Sequence, residues 1–110
     1  ARHDVDGLIF FTEKDWAVLF FVTENGEPRR GAGEAGTYTL KGADLVFTHL
    51  YHFSSGKAVG ALPESPLRME IKDAAAATTE RCRAEVEGDR LTIRFLPSGN
   101  SMIFRRSSRF

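Results

Sequence analysis

The sequence predicts an all-β fold, a small antiparallel barrel of about eight strands. Three observations carry that expectation. Short strand-like runs, most of them alternating apolar with polar residues, recur from about residue 7 to residue 106, and a period of two is the signature of half-buried strands. Two stretches, Leu40-Lys41-Gly42-Ala43-Asp44-Leu45 and Val86-Glu87-Gly88-Asp89-Arg90-Leu91, repeat the order aliphatic, charged, glycine, two further residues, leucine. Each has the look of a hairpin tip. The runs number about eight, the count at which an antiparallel sheet closes around one small ligand and hides its edges.

Taken in order, residues 1–6 are polar and form a leading segment, and Gly7 opens a short apolar strand through Phe11. Thr12 to Asp15 turns the chain. The next run, Asp15 to Thr23, is too continuously apolar to alternate, yet its aromatics, valines and shortness favour a strand buried on both faces. Glu24 to Ala35 reads as a long loop, with Asn25-Gly26 its strongest turn signal and Arg29-Arg30 at its tip. Gly36 to Phe53 follows as a hairpin: Tyr38 and Leu40 share a face that Leu45, Phe47, His49, Tyr51 and Phe53 resume after the turn. Val46, Thr48 and His52 are expected on the other face. Ser54 to Pro66 reads as a second long loop.

Leu67 to Lys72 alternates again, and so does Cys82, Ala84, Val86 against Arg81, Arg83, Glu85. Four alanines, Ala74 to Ala77, invite a competing helix from about Leu67 to Glu85. The alternation favours two strands joined by an alanine-rich turn. Leu91, Ile93 and Phe95 mark the next strand, Pro97 to Asn100 a turn, and Ser101 to Arg106 the last strand before a basic tail ending near Arg109.

Composition bounds the rest. The 110 residues suit one domain, 1–110, with a core of its own. Fifteen Lys and Arg balance fifteen Asp and Glu, so no net field favours nucleic acid or an anionic membrane. The longest strongly apolar run, Trp16 to Val22, is far shorter than the ~20 residues of a spanning helix. A single cysteine, Cys82, excludes an intrachain disulfide and fits a reducing, cytoplasmic compartment. The chain begins at Ala1, which leaves a leader or a first strand ahead of it open. No cofactor motif is present: Ser54-Ser55-Gly56-Lys57 lacks the upstream glycine of a phosphate loop.

GTYTLKGADLVF, then VEGDRLTIRF and a closing strand ending in Phe-Arg, resemble the bacterial lipocalin-like domains of the calycin superfamily. GLIFFTEKDWAVLF resembles their second and third strands, so the resemblance covers about residues 7–106. It implies a small antiparallel barrel holding a hydrophobic molecule, and in some barrels of this kind a cyclisation or isomerisation. The usual opening Gly-x-Trp strand is missing. With that strand missing and with both faces of Trp16 to Val22 apolar, a homodimer is expected.

His49 and Tyr51 are the chemically distinctive residues, two polar groups on the face of Leu45 and Phe47. They either orient a ligand or shuttle a proton, or they are a satisfied core histidine and tyrosine. Tyr38, Phe47 and Trp16 join them as candidate ligand-binding residues, a pocket wall and a core being built of the same types. If the chain is an enzyme, His49 and Tyr51 are the catalytic pair. His52 reads as a surface residue, and His3, His49 and His52 have no zinc spacing. Cys82 reads as a small buried hydrophobe. Arg105 and Arg106 match the resemblance's closing-strand arginine, which caps the barrel end. The function expected is binding of a small hydrophobic or amphipathic molecule, the alternatives being an isomerase, cyclase or hydrolase in the same cavity, or an interaction domain with a filled core.

Overall fold

The computed structural model describes residues 3–108. Ala1, Arg2 and the tail at Arg109 lie outside the described residues. The fold is all-β: β1 (His3–Phe11), β2 (Asp15–Glu24), β3 (Glu27–Lys41), β4 (Asp44–Gly56), β5 (Ser65–Ile71), β6 (Thr78–Glu87), β7 (Arg90–Phe95) and β8 (Ser101–Arg105). Every pairing is antiparallel, in the order β1-β2-β3-β4-β6-β7-β8 with β5 also on β4. The sheet curls into a nearly closed barrel, and β1 and β8 share no ladder.

Turn chemistry sets the registers. Asn25 and Gly26 both have positive φ, 52° and 84°, the requirement of a two-residue turn whose twist matches that of its strands. They join Glu24 directly to Glu27. The echoing turns behave alike: Gly42 and Gly88, each the first of two turn residues, adopt φ 61° and 62°. They close the pairs Lys41 with Asp44 and Glu87 with Arg90.

Two expected loops are therefore shorter than their composition suggested. Most of Glu24 to Ala35 is the first half of β3, and its glycines serve packing. A β-carbon on Gly33 would collide with the Phe53 ring, and one on Gly31 would meet Phe21 at 2.9 Å. In the second loop, β4 runs on to Gly56 and β5 starts at Ser65. The eight residues between are folded back by a bridge between Val59 and Leu62.

The competing helix over Leu67 to Glu85 does not form. β5 and β6 lie end to end along one edge of β4, Ile71 opposite Tyr51 and Thr78 opposite His49. The alanine-rich residues make a detour out of what is otherwise one long strand position. Propensity favours a helix there, but alternating apolar residues that must face one side of a sheet override it.

The core is Trp16, Val18, Leu45, Phe47, Cys82 and Ile93, with Ile9, Phe20, Tyr38, Leu91, Phe95 and Phe104 packed around it. Burying an aromatic or aliphatic side chain of this size contributes ~1.5–3 kcal/mol relative to exposure. Trp16 and Phe47 lie 4.3 Å apart by ring centroids, so the centre of the barrel beneath them is filled by side chains.

Candidate functional site

The barrel interior changes character at one residue, Leu50. Ala35 pairs with Tyr51 while Gly36 pairs with His49, so Leu50 is the extra residue of a β-bulge. A bulge shifts the alternation by one. Ahead of it Leu45, Phe47 and His49 point inward; beyond it His52 and Ser54 do, and Tyr51 and Phe53 turn outward, 53% and 51% exposed. The expected inward placement of Tyr51 and Phe53 is thereby corrected, as is the surface placement of His52. The carbonyl of Leu50 is satisfied by the N–H of Lys72 at 2.8 Å, which ties the bulge to the end of β5.

Inside the bulge lies a polar cluster. His49 Nδ1 is 3.3 Å from Glu34 Oε1, and His49 Nε2 is 3.1 Å from Glu80 Oε1. The same Glu34 oxygen lies 3.1 Å from His52 Nδ1, whose other ring nitrogen is 3.0 Å from Ser54 Oγ. With carboxylates at both of its nitrogens, His49 is best satisfied as the imidazolium, a double donor. Its pKa is raised accordingly, first by the hydrogen bond to Glu34 and against the desolvation that opposes it. Glu34 is lowered, first by its bond from His49. Trp16 borders the cluster, its ring edge-on to His49 at 5.1 Å.

Glu34, His49, His52 and Glu80 line a cleft of about 370 Å³ at the break between β5 and β6, with Tyr51 at its edge and Arg68, Glu70 and Lys72 on its other wall. Those three are paired among themselves: Arg68 with Glu70 at 3.3 Å and Lys72 with Glu70 at 3.5 Å. The cleft is thus a self-satisfied ionic network. As an imidazolium His49 has no lone pair with which to take a proton, and for it to donate one to a substrate, that substrate would first have to displace a carboxylate. His49 and Tyr51 both border this cleft, although the bulge turns their side chains to opposite faces of β4.

The other candidates are structural in place. Tyr38 donates its hydroxyl to the Thr12 carbonyl at 2.6 Å, with its ring edge-on to Phe11. Phe47 and Trp16 are in the core, and the Trp16 indole donates to the Thr48 carbonyl at 3.3 Å. Cys82 is 1% exposed, and burial pushes its thiol up to about 11. His3 bonds Glu24 at the end of the first hairpin. Among the described residues, no group of three or more metal-ligating side chains converges.

A second concavity lies where the barrel fails to close. Between β1 and β8 runs a cleft of about 1040 Å³, lined by Ile9, Phe20, Leu91, Met102 and Phe104 with Arg90, Arg105 and Arg106 at its rim. Ile9, Phe20, Leu91 and Phe104 are half-buried against the core and form its floor. Arg105 pairs with Asp89 at 3.3 Å. The sequence pointed to the end-strand arginines but not to this floor, whose residues come from four strands. Likewise Glu34 went unnoticed within an apparent loop.

Fold and concavities together define a class: a small antiparallel barrel domain with a filled centre, an incomplete wall and an apolar cleft in the gap. No family model matches the chain, and neither a curated protein nor a solved structure matches it.

Proposed function

We propose that the chain is a lipocalin-like binding domain that takes a small hydrophobic or amphipathic molecule into the cleft between β1 and β8. The observation that carries this reading is the lining of the gap, an apolar floor edged by Arg90, Arg105 and Arg106 together with Asp6 and Asp89. Small-molecule sites are mostly apolar concavities of ~300–1,000 Å³ with a few polar groups that fix orientation. Apolar burial at roughly 25 cal/mol per Å² drives binding, less the ordering costs. Arg106, with no ion pair among the described residues, and its neighbour Arg105 suit an anionic head. In this reading Trp16, Phe47 and Tyr38 back the cleft from the core, and His49 holds the barrel together on the far side. The lone buried thiol supports a reducing, cytoplasmic setting. We also propose a homodimer, since β2 presents apolar side chains on both faces.

Strand parity favours a second occupant for the same gap. Seven strands on the hydrogen-bonded path leave β1 and β8 parallel to each other, so one extended segment antiparallel to both would complete an even-numbered barrel.

Native mass spectrometry of the protein purified from its own host separates the two. An added mass of a few hundred daltons that is lost on organic extraction supports the small molecule. An added peptide mass supports the extended segment, and the bare chain alone contradicts both.

A further inference from the structure

The outer face of β2 to β5 is built the wrong way round for a surface facing water. Register places Leu19, Gly33, Phe53 and Met69 in one row across four strands, and Ala17, Ala35, Tyr51 and Ile71 in the next. Phe21 begins a third row, opposite Gly31. No charged residue interrupts the first two rows, whereas the outer face of β6 and β7 carries Arg81, Arg83, Glu85 and Arg94. Met69 and Ile71 are 74% and 82% exposed. The polar side chains Glu34, His52 and Ser54 point inward instead, the last two because the Leu50 bulge turned them there.

The face is also low in relief. Glycines at positions 31 and 33 leave room for the rings of Phe21 and Phe53 to lie down on β3, so the rows present a smooth apolar sheet. Leu19, Phe21, Tyr51, Phe53, Met69 and Ile71 are each roughly half exposed or more. At ~150–250 Å² for a fully exposed side chain of this size, they and their immediate neighbours offer on the order of 800 Å². That is about the area each partner contributes to a standard stable interface. Such a patch exceeds the ~300–600 Å² typical of a monomer's largest.

We propose that this face packs on its own counterpart in a second copy of the chain, sheet on sheet about a two-fold axis. The inference deepens the homodimer reading above and rests on it, moving the interface from β2 alone to the surface centred on Phe53. A second copy meets what the patch needs: another low-relief, uncharged, aromatic and methionine-bearing face, supplied by symmetry. A bilayer fits less well. The flattened rings do not project, and the chain carries as many acidic as basic residues, which leaves no net attraction to anionic lipid.

The test is sedimentation velocity of the whole chain at about 1–50 μM, alongside Phe53→Glu, the milder Phe53→Ser, and Met69→Glu. Circular dichroism and a thermal melt establish that each is folded. The proposal expects a wild-type dimer whose dissociation constant rises at least ~30-fold in the variants, the size of an interface hot spot. A wild-type monomer throughout the range overturns both this interface and the homodimer. A dimer unchanged in all three folded variants overturns the interface and leaves the homodimer standing. A monomer that floats with phosphatidylcholine vesicles, and ceases to in Phe53→Glu, overturns the proposal in favour of a membrane surface.

Discussion

The carbonyl oxygen of Thr48 occupies the space in which a β-carbon on Gly36 would stand. Gly36 is paired with Trp16 on one side and His49 on the other, and the same carbonyl accepts the Trp16 indole N–H. This one missing side chain lets Trp16 of β2 meet Phe47 and His49 of β4 across β3, in one cluster of tilted and edge-on rings just ahead of the Leu50 bulge. Gly36→Ala should therefore act as overpacking against backbone, costing ~1–3 kcal/mol. Urea denaturation measures it, with Trp16 fluorescence reporting the displaced ring. A change within ~0.5 kcal/mol, the size of an ordinary surface substitution, would contradict the close approach.

That relationship also shows what could be read from the sequence and what could not. Strand identity was legible wherever apolar residues alternate, and both glycine hairpins fell where their turn chemistry put them. The face of Tyr51 was not legible, because one inserted residue reverses every side chain beyond it and Leu50 looks like any strand leucine. Glu34 was hidden for a different reason. Its neighbours Gly31 and Gly33 have a loop's composition, yet they are there to seat two phenyl rings. The apolar cleft was foreseeable only as a missing strand, since its floor is assembled from residues far apart in the chain.

The ionic cluster should give stability a pH optimum that follows from its two shifts. The imidazole of His49 is held above its ordinary 6.5, first by Glu34, so its contribution is complete below that value and fades as pH rises through the folded-state pKa. The carboxyl of Glu34 is held below its ordinary 4.5, first by His49, so its contribution is complete above that value and fades as pH falls through its own folded-state pKa. The difference in unfolding free energy between wild type and His49→Gln should peak between these two values and shrink on either side. A difference constant from about pH 5 to about pH 9 would show that the cluster does not carry the charge assigned to it.

Cys82 should be inert in the native state. It is buried in the core, and its thiol is pushed up to about 11 by burial first and by Glu80 second, so little thiolate exists at neutral pH. Labelling with dithiobis-nitrobenzoate at pH 8 should track global unfolding, slow in buffer and immediate in denaturant. Prompt native labelling would contradict the burial. Cys82→Ser should destabilise by ~1–3 kcal/mol by burying a hydroxyl whose acceptor, the Glu80 carbonyl, lies 4.0 Å from the present thiol, and Cys82→Ala by less.

The central claim is that the gap between β1 and β8 binds an apolar body, and titration with anilinonaphthalene sulfonate, an anionic hydrophobic fluorophore, tests it most directly. Met102→Glu, which places a carboxylate inside the cleft, should weaken probe binding at least ~10-fold, or ~1.4 kcal/mol. Phe53→Glu, on the outer face, should leave the affinity within about twofold, well under that energy. With both variants shown to be folded by their melts, equal probe affinity for wild type and Met102→Glu would contradict the account.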